Sequence, residues 1–176
     1  MASGTATSLA LDELVKIDGF LERPHLLIGG LAVRKYVVTR ESADIDLVCD
    51  ATVAKKLVAE VYPDNLYDHT DSNDNELRPA YVMKHKVNRN EIVLFGPKLL
   101  QREAYFAIDW EMLSEGAIPF SYSKREFPRL LVPSLEALAF MKLISFIARV
   151  RGNLKKGEQD LRDFVSCRVP HDCAVI

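Results

Sequence analysis

The chain has 176 residues, of which 48% are hydrophobic and 27% are charged, a composition typical of a folded globular protein and not of a disordered one. Its formal net charge of -2 argues against a broad electrostatic surface for nucleic acid, although a local basic patch is compatible with it. Because the first residues lack the pattern of a signal peptide and no apolar run reaches the roughly 20 residues of a membrane span, we expect a cytoplasmic protein without stable membrane insertion.

The spacing of apolar residues predicts alternating helices and strands in the first half of the chain. Two glycines, Gly29 and Gly30, separate the first predicted strand from the helix that follows it. The predicted elements are a helix over residues 8–18, a strand His25–Ile28, a helix Leu31–Val38, a strand Asp44–Cys49 and a helix Thr52–Val61.

The second half begins with a region rich in proline, aspartate and asparagine, residues 63–79, which predicts a loop. The elements predicted after it are strands Tyr81–Val87 and Glu91–Phe95 around a turn at 88–90, a strand Ala104–Trp110, a helix from Ser134 to about Val150 and a helix Glu158–Val165. This order predicts an α/β (α+β) fold with a mixed sheet flanked by helices. We expect one domain over residues 1–176, with the sheet in 8–130, a C-terminal helical segment in 133–166 and a tail in 167–176.

The Gly29-Gly30 turn is the first candidate for a binding function. Two glycines between a strand and a helix let the backbone approach a bulky anion closely, and the amides at the start of a helix can hold phosphate oxygens. A tight connection without any ligand is the alternative explanation of the same pair. The turn alone therefore does not decide between the two.

Asp44 and Asp46 are the second candidate, because residues two apart on a strand place their side chains on the same face. Two neighbouring carboxylates repel each other unless a cation lies between them. Mg²⁺ is commonly held by one or two carboxylates together with substrate phosphates. The alternative is an exposed strand edge that carries two acids and binds nothing.

In combination, the glycine turn, the Arg40-x-Ser42 pair and the Asp44-x-Asp46 pair resemble the signature of the polymerase-beta-like nucleotidyltransferase superfamily. The closest resemblance is to its small members of the antibiotic-modifying and abortive-infection toxin types. The matching positions are Gly29, Gly30, Ala32, Arg40, Ser42, Asp44, Asp46 and Leu47. The resemblance implies a nucleotidyltransferase fold, a nucleoside triphosphate bound at Gly29, Gly30, Arg40 and Ser42, and Mg²⁺ held by Asp44 and Asp46.

The C-terminal helices add charged candidates to this site. Lys142 and Arg149 fall on one stripe of a helix that is otherwise largely apolar. Such a stripe either faces the triphosphate or forms a narrow solvated face with snorkelling side chains. Asp160 and Asp163 share a face of the last predicted helix, where they either orient Lys142 and Arg149 or form surface pairs of little energetic value.

A third carboxylate is expected in catalytically active members of the superfamily, usually between two hydrophobic residues of a later strand. In this sequence Val93 stands where that acid is expected. Glu91 precedes it by two residues, shares its face and has a longer side chain, so we take Glu91 as the third catalytic acid. Asp109, on a later predicted strand, is the alternative.

Two functions follow from the resemblance. The first is an enzyme that transfers a nucleoside monophosphate from a nucleoside triphosphate to a hydroxyl group, with one or two Mg²⁺ ions at Asp44 and Asp46 and with Glu91 completing the site. The acceptor is a small molecule, an RNA or a protein. The second is a catalytically degenerate domain that binds a nucleotide or has a regulatory role, which the missing acid at Val93 favours.

The end of the sequence, Cys173-Ala174-Val175-Ile176, has the form of a prenylation motif. No basic run precedes it, and a single lipid chain without a second signal anchors a protein only weakly. A frayed tail without modification is the alternative.

Overall fold

A seven-stranded mixed sheet organises the part of the chain that the structure describes, residues 6–37, 40–62, 67–71, 81–87, 89–96, 98–101, 106–150 and 152–168. The structure is a computed structural model. Its strands are β1 (His25–Ile28), β2 (Ile45–Val48), β3 (Tyr67–Asp71), β4 (Tyr81–His85), β5 (Glu91–Phe95), β6 (Lys98–Gln101), β7 (Phe106–Asp109), β8 (Ile118–Tyr122) and β9 (Arg125–Val132). Strands β6 and β7 pair with each other in a small separate sheet.

The helices lie against this sheet. They are α1 (Ala6–Phe20), α2 (Gly29–Val33), α3 (Ala51–Lys56), which continues into a π-helical turn (Leu57–Val61), α4 (Trp110–Ser114), α5 (Leu135–Arg149) and α6 (Leu154–Arg168). Local capping sets two of their starts: the Asp50 carboxylate accepts a hydrogen bond from Thr52 N at 2.7 Å, and the Ser134 hydroxyl accepts one from Ala137 N at 3.2 Å. Among the described residues no helix has the length and hydropathy that a membrane span requires.

The order of the strands brings three candidate site residues to one edge of the sheet. The order is β3-β4-β5-β2-β1-β9-β8, in which β1 runs parallel to β9 and β2 runs parallel to β5, whereas β1 and β2 are antiparallel. The C-terminal end of β1 therefore lies beside the N-terminal ends of β2 and β5. Gly29, Asp46 and Glu91 all lie at this edge, which we call the acidic edge.

The two faces of the central strands have different partners, as the alternation of side chains along a strand requires. On one face Leu27, Ile45 and Leu47 pack with Leu14 of α1 in the main hydrophobic core. On the other face lies a smaller cluster, which contains Leu26, Ile28, Val48, Ile108 and Leu113. Asp46 pairs with Ile28 and lies two residues before Val48, so it shares this second face.

The structure confirms the predicted mixed sheet, the central strands and the long C-terminal helix, and it corrects several elements. The helix predicted over Leu31–Val38 begins at Gly29 and ends at Val33. Within the predicted loop 63–79, Tyr67–Asp71 is a strand paired with β4, and the rest of that loop lies outside the described residues. Strands β8 and β9 were not predicted. Trp110, predicted to end a strand, begins α4.

The last helix differs most from its prediction. Its apolar residues Leu161 and Val165 are exposed. Instead α6 buries Asp160 and Asp163, because cationic side chains face it from α5 and from the segment before β2. The helix also extends to Arg168, two residues into the predicted tail, and the motif at Cys173 lies outside the described residues.

Candidate functional site

The turn at Gly29 places the backbone directly against the Asp46 carboxylate. Gly29 has a φ of 72°, a conformation that L side chains rarely adopt. A Cβ atom added to Gly29 would overlap Asp46 Oδ2 and would lie 3.0 Å from Asp46 Cβ. Glycine is therefore required here for two reasons, the positive φ and the space that the carboxylate occupies.

Gly30 makes a second close approach, to the segment that precedes β2. A Cβ at Gly30 would lie 2.8 Å from Ser42 Oγ and 2.9 Å from Arg40 Nη2. A Cβ at Gly30 would therefore displace these two side-chain atoms, so glycine favours the close approach. The structure thus brings Gly29, Gly30, Arg40, Ser42 and Asp46 together, as the sequence motif predicted.

Asp46 is the electrostatic centre of the group. Burial raises the pKa of Asp46 to about 6 from the ordinary 3.8, while Lys142 lowers it, Asp44 raises it, Arg149 lowers it and Glu91 raises it. Four charged side chains are thus close enough to influence this one carboxylate. Asp44 itself is exposed, whereas Asp46 is half-buried.

The register of β2 and β5 places one of the two candidates for the third acid near Asp46. Val93 is paired directly with Asp46, and Glu91 lies two residues before Val93 on the same face. Glu91 also raises the pKa of Asp46. Asp109 lies in the separate two-stranded sheet, where its carboxylate accepts a hydrogen bond from Met112 N at 3.0 Å and caps α4. The geometry therefore favours Glu91 and gives Asp109 a structural role.

Two buried aspartates of α6 hold the cations that surround Asp46. Lys142 Nζ lies 2.9 Å from Asp160 Oδ1 and 3.0 Å from Asp163 Oδ2, the latter an ion pair without hydrogen-bond geometry. Arg149 Nη1 donates to Asp160 Oδ2, and Arg40 Nε donates to Asp163 Oδ1 at 2.9 Å. Both aspartate side chains are only 3% exposed. The prediction that these acids orient Lys142 and Arg149 is confirmed, and the surface-pair alternative is wrong.

The same contacts modify the predicted role of Lys142. Its side chain is buried, and one of its three N–H donors is hydrogen-bonded to Asp160. Arg149 pairs with the same aspartate, yet its side chain is 45% exposed, so more of its donors face open space. Of the two, Arg149 is the cation better placed to reach a ligand, and Lys142 acts on Asp46 through its charge.

Arg34 is a residue of this region that the sequence did not reveal. Its guanidinium donates to the Arg40 carbonyl and to the Tyr122 hydroxyl, and Nη1 lies 3.0 Å from Glu41 Oε1. The Thr7 hydroxyl donates to the same Glu41 carboxylate. Arg34 therefore fastens the segment that carries Arg40 and Ser42 to α2 and β8. No local pattern predicts the contacts of Arg34 with Tyr122 and of Thr7 with Glu41, because these partners are far apart in sequence.

The donor set bears on the metal that the motif implies. Among the residues that the structure describes, no three His, Cys, Asp or Glu side chains are grouped so as to hold a metal ion by themselves. Asp44 and Asp46 nevertheless offer hard oxygen ligands close to each other in the chain, and the charge of Asp44 raises the pKa of Asp46. This fits Mg²⁺, which takes one or two carboxylates and completes its shell with waters and phosphate oxygens.

The fold is similar to that of solved structures of the antibiotic-resistance factor ANT(2'')-Ia. The crystal structure of ANT(2'')-Ia in complex with adenylyl-2''-tobramycin has 14% sequence identity and a TM-score of 0.55, and the match covers 92% of this chain and 87% of that one. A solution structure of ANT(2'')-Ia has 15% identity and a TM-score of 0.49, covering 93% and 94%. The chain therefore has a nucleotidyltransferase fold.

Sequence comparisons add nothing to this likeness. No family model matches the chain, and no curated protein matches it. At this level of identity the solved structures establish the fold alone. What the site does has to be inferred from its own residues.

The overlap at Gly29 gives a first prediction. Gly29→Ala should lower the free energy of unfolding by roughly 2 kcal/mol or more, since a positive φ and a displaced carboxylate both oppose it. In an Asp46→Ala background the same change should cost only about 1 kcal/mol, from the positive φ and the close contact with the remaining Cβ of residue 46. Urea unfolding of the four proteins of this cycle measures the coupling. Equal costs in the two backgrounds would show that the carboxylate does not occupy this space.

The raised pKa of Asp46 gives a second prediction, on pH. Between pH 3.8 and about 6 the folded protein keeps a proton that the unfolded chain has released, so stability falls as pH rises through this window. Asp46→Asn removes this effect. Without divalent cations the variant should be more stable than the parent by up to roughly 3 kcal/mol at pH 7.5, and by little at pH 4. Urea unfolding in a chelator checks this, and an equal gain at both pH values contradicts it.

The contacts of Arg34 give a third prediction. Arg34→Met should destabilise the protein by roughly 1–3 kcal/mol, because it leaves the Arg40 carbonyl and the Tyr122 hydroxyl without their donor. It should also release the segment around Arg40, so that trypsin cleaves after Arg40 faster, as peptide mass spectrometry measures. Lys35→Met is the matched control, since the Lys35 side chain makes its hydrogen bond to Ser121 at the surface. Similar cleavage rates in both variants would argue against the fastening role.

Proposed function

We propose that this protein transfers a nucleoside monophosphate from a nucleoside triphosphate to a hydroxyl acceptor. The observation that carries the proposal is the Asp46 carboxylate, held against the Gly29 turn among Asp44 and Glu91 and opposite Lys142. The nucleotidyltransferase fold is compatible with this chemistry. Fold alone does not establish activity, so the case rests on these side chains.

The acids of the site would hold Mg²⁺, one ion or two. Asp44 and Asp46 would supply carboxylate oxygens, and bound Mg²⁺ neutralises charge on a triphosphate and polarises the reacting phosphoryl group. The charges of the site suit a divalent cation. Three cations, Arg40, Lys142 and Arg149, stand against five carboxylates, Asp44, Asp46, Glu91, Asp160 and Asp163, which leaves a net charge of -2 when all are ionised.

The glycine turn and the segment before β2 would bind the phosphates. The absence of side chains at Gly29 and Gly30 leaves their backbone open to close approach, and the Ser42 hydroxyl and the Arg40 guanidinium lie beside Gly30. Arg149 would contact the phosphate chain from the other side with its exposed donors. These groups are fixed by other contacts before a ligand binds, so little ordering would be lost on binding.

Glu91 would act on the acceptor. In the reaction the acceptor oxygen attacks the α-phosphorus, a new P–O bond forms, the bond to the bridging oxygen breaks and pyrophosphate leaves. The hydroxyl proton passes to a base, and Glu91 is the carboxylate of the acidic edge that is left for this step when Asp44 and Asp46 hold Mg²⁺. The ANT(2'')-Ia complex contains an adenylylated antibiotic, so hydroxylated antibiotics are the first acceptors to test.

A second function is favoured by one observation. Val93, and not a carboxylate, is paired with Asp46 on β5. A domain that binds a nucleotide with Asp44 and Asp46 and turns over slowly or not at all would have this arrangement. In that case the protein would act as a nucleotide-binding or regulatory domain.

The experiment that tests the proposal combines calorimetry with a pyrophosphate assay, for each nucleoside triphosphate with Mg²⁺. We expect heat of binding and pyrophosphate release from the parent protein, and a loss of about 100-fold or more in release for Asp46→Asn. Glu91→Gln should keep binding while release falls. Glu126→Gln, an exposed acid of β9 outside the site, should behave as the parent protein does.

The outcomes separate the two functions. Binding without release in the parent protein supports the nucleotide-binding domain, and Val93→Asp should then create release by supplying the missing acid. If Glu91 already completes the site, Val93→Asp should lower release, because it adds a further charge beside Asp46. Neither heat nor release from the parent protein would rule out both functions.

A further inference from the structure

A cavity of about 530 Å³ opens at the edge of the sheet opposite the acidic edge. Its walls come from the end of α1, the start of β1, the residues after β2, the α3 region and α4. His25, the first residue of β1, lines the cavity, whereas Asp46 is paired with Ile28 at the other end of that strand. Three residues of extended chain, about 10 Å, separate the two positions. The volume lies within the range of small-molecule pockets.

Aromatic rings form a flat part of the cavity wall. Phe20 and Trp110 both line it, and both are half-buried, so part of each ring is open to a ligand. The rings of His25 and Trp110 lie edge to face, 6.4 Å between centroids and 73° between planes. Partly exposed aromatic faces in a concave site favour a planar, apolar group, and also a cation placed over a ring.

His25 provides a hydrogen-bond acceptor in this wall. Its Nδ1 lies 2.7 Å from the Arg23 carbonyl, which can only accept, so Nδ1 carries the proton and donates. Burial lowers the pKa of His25, which keeps the ring neutral at pH 7. Nε2 then has a lone pair and no proton, and within the described residues it has no hydrogen-bond partner. His25 is 7% exposed and lines the cavity, so Nε2 is an acceptor that a ligand bound there can use.

The charged residues of the cavity add further acceptors. Glu22, Asp50 and Glu60 line it together with Arg23 and Lys56, which gives three carboxylates against two cations. All five side chains are exposed at the mouth. The Asp50 carboxylate already accepts from Thr52 N, while both glutamates are available to a ligand. A site rich in acceptors and slightly negative selects for N–H donors and positive charge.

We propose that this cavity is a binding site for a small aromatic amine. The ring would pack against Trp110 and Phe20, one N–H would donate to His25 Nε2, and the positive charge would lie near Glu22 and Glu60. This site is separate from the acidic edge, and it does not depend on the function proposed above.

The chain contains a single tryptophan, Trp110, so intrinsic fluorescence reports on this cavity directly. We would titrate the full protein with 2-phenylethylamine and, as the matched anion, with phenylacetate. The amine should give a saturable change in emission, with an affinity at least about tenfold higher than that of the anion. Asp46→Asn should leave this titration unchanged, because the altered residue belongs to the other edge of the sheet.

Two variants test the acceptors. The double variant Glu22→Gln/Glu60→Gln changes only exposed side chains, and it should lower the affinity for the amine roughly threefold to tenfold. His25→Phe keeps an aromatic ring in the cavity wall and removes Nε2. It should lower the affinity for the amine about tenfold. Glu126→Gln is the control for a remote exposed acid. The double glutamate variant keeps the test valid should His25→Phe fail to fold.

Four results would overturn the proposal. They are a non-saturable change in fluorescence, equal affinity for amine and anion, an unchanged affinity in the double glutamate variant, or loss of binding in Asp46→Asn. The last result would place the amine at the acidic edge. None of these results bears on pyrophosphate release, so the two proposals stand or fall separately.

Discussion

The arrangement of the candidate site depends on two buried carboxylates of the last helix. In the sequence they lie far from the residues of the acidic edge. Asp160 and Asp163 of α6 hold Lys142 of α5 between them and also bind Arg149 and Arg40. Burying these charges carries a desolvation cost that ion pairing offsets only when partners are well placed. Once formed, these pairs fix the positions of Lys142 and Arg149, which act on Asp46, and of Arg40, which lies beside Gly30. They also join α6, α5 and the segment before β2 into one unit.

This network explains why opposite charges can lie close together at the site without cancelling. Lys142 is held by a hydrogen bond to Asp160 and a contact with Asp163, and its charge lowers the pKa of Asp46 while burial and Asp44 raise it. The cations of α5 therefore stay paired with α6 while their charges still act on Asp46.

Local patterns predicted the front of the site, and contacts between distant residues decided the rest. The Gly29 turn and Asp46 were recognisable because a positive φ and a same-face spacing are properties of short segments. Strand β3 was not, because Tyr67–Asp71 is mostly polar and is defined by its pairing with β4. Strands β8 and β9 contain Pro119 and Pro128, residues that argue against a strand. The register of this pair is irregular after Pro119, and Arg129 N donates to Asp18 of α1.

The position of Asp46 is the strongest reason to assign a ligand to this edge, because it works against stability. A carboxylate that only supported the fold would have its charge satisfied, as Asp160 has through Lys142 and Arg149. Asp46 is instead held where burial and two further acids disfavour its ionised form, beside a turn that accepts only glycine. Unfavourable electrostatics concentrated on one side chain are typical of functional sites. A bound cation would offset these unfavourable terms, since acids that repel each other all attract it.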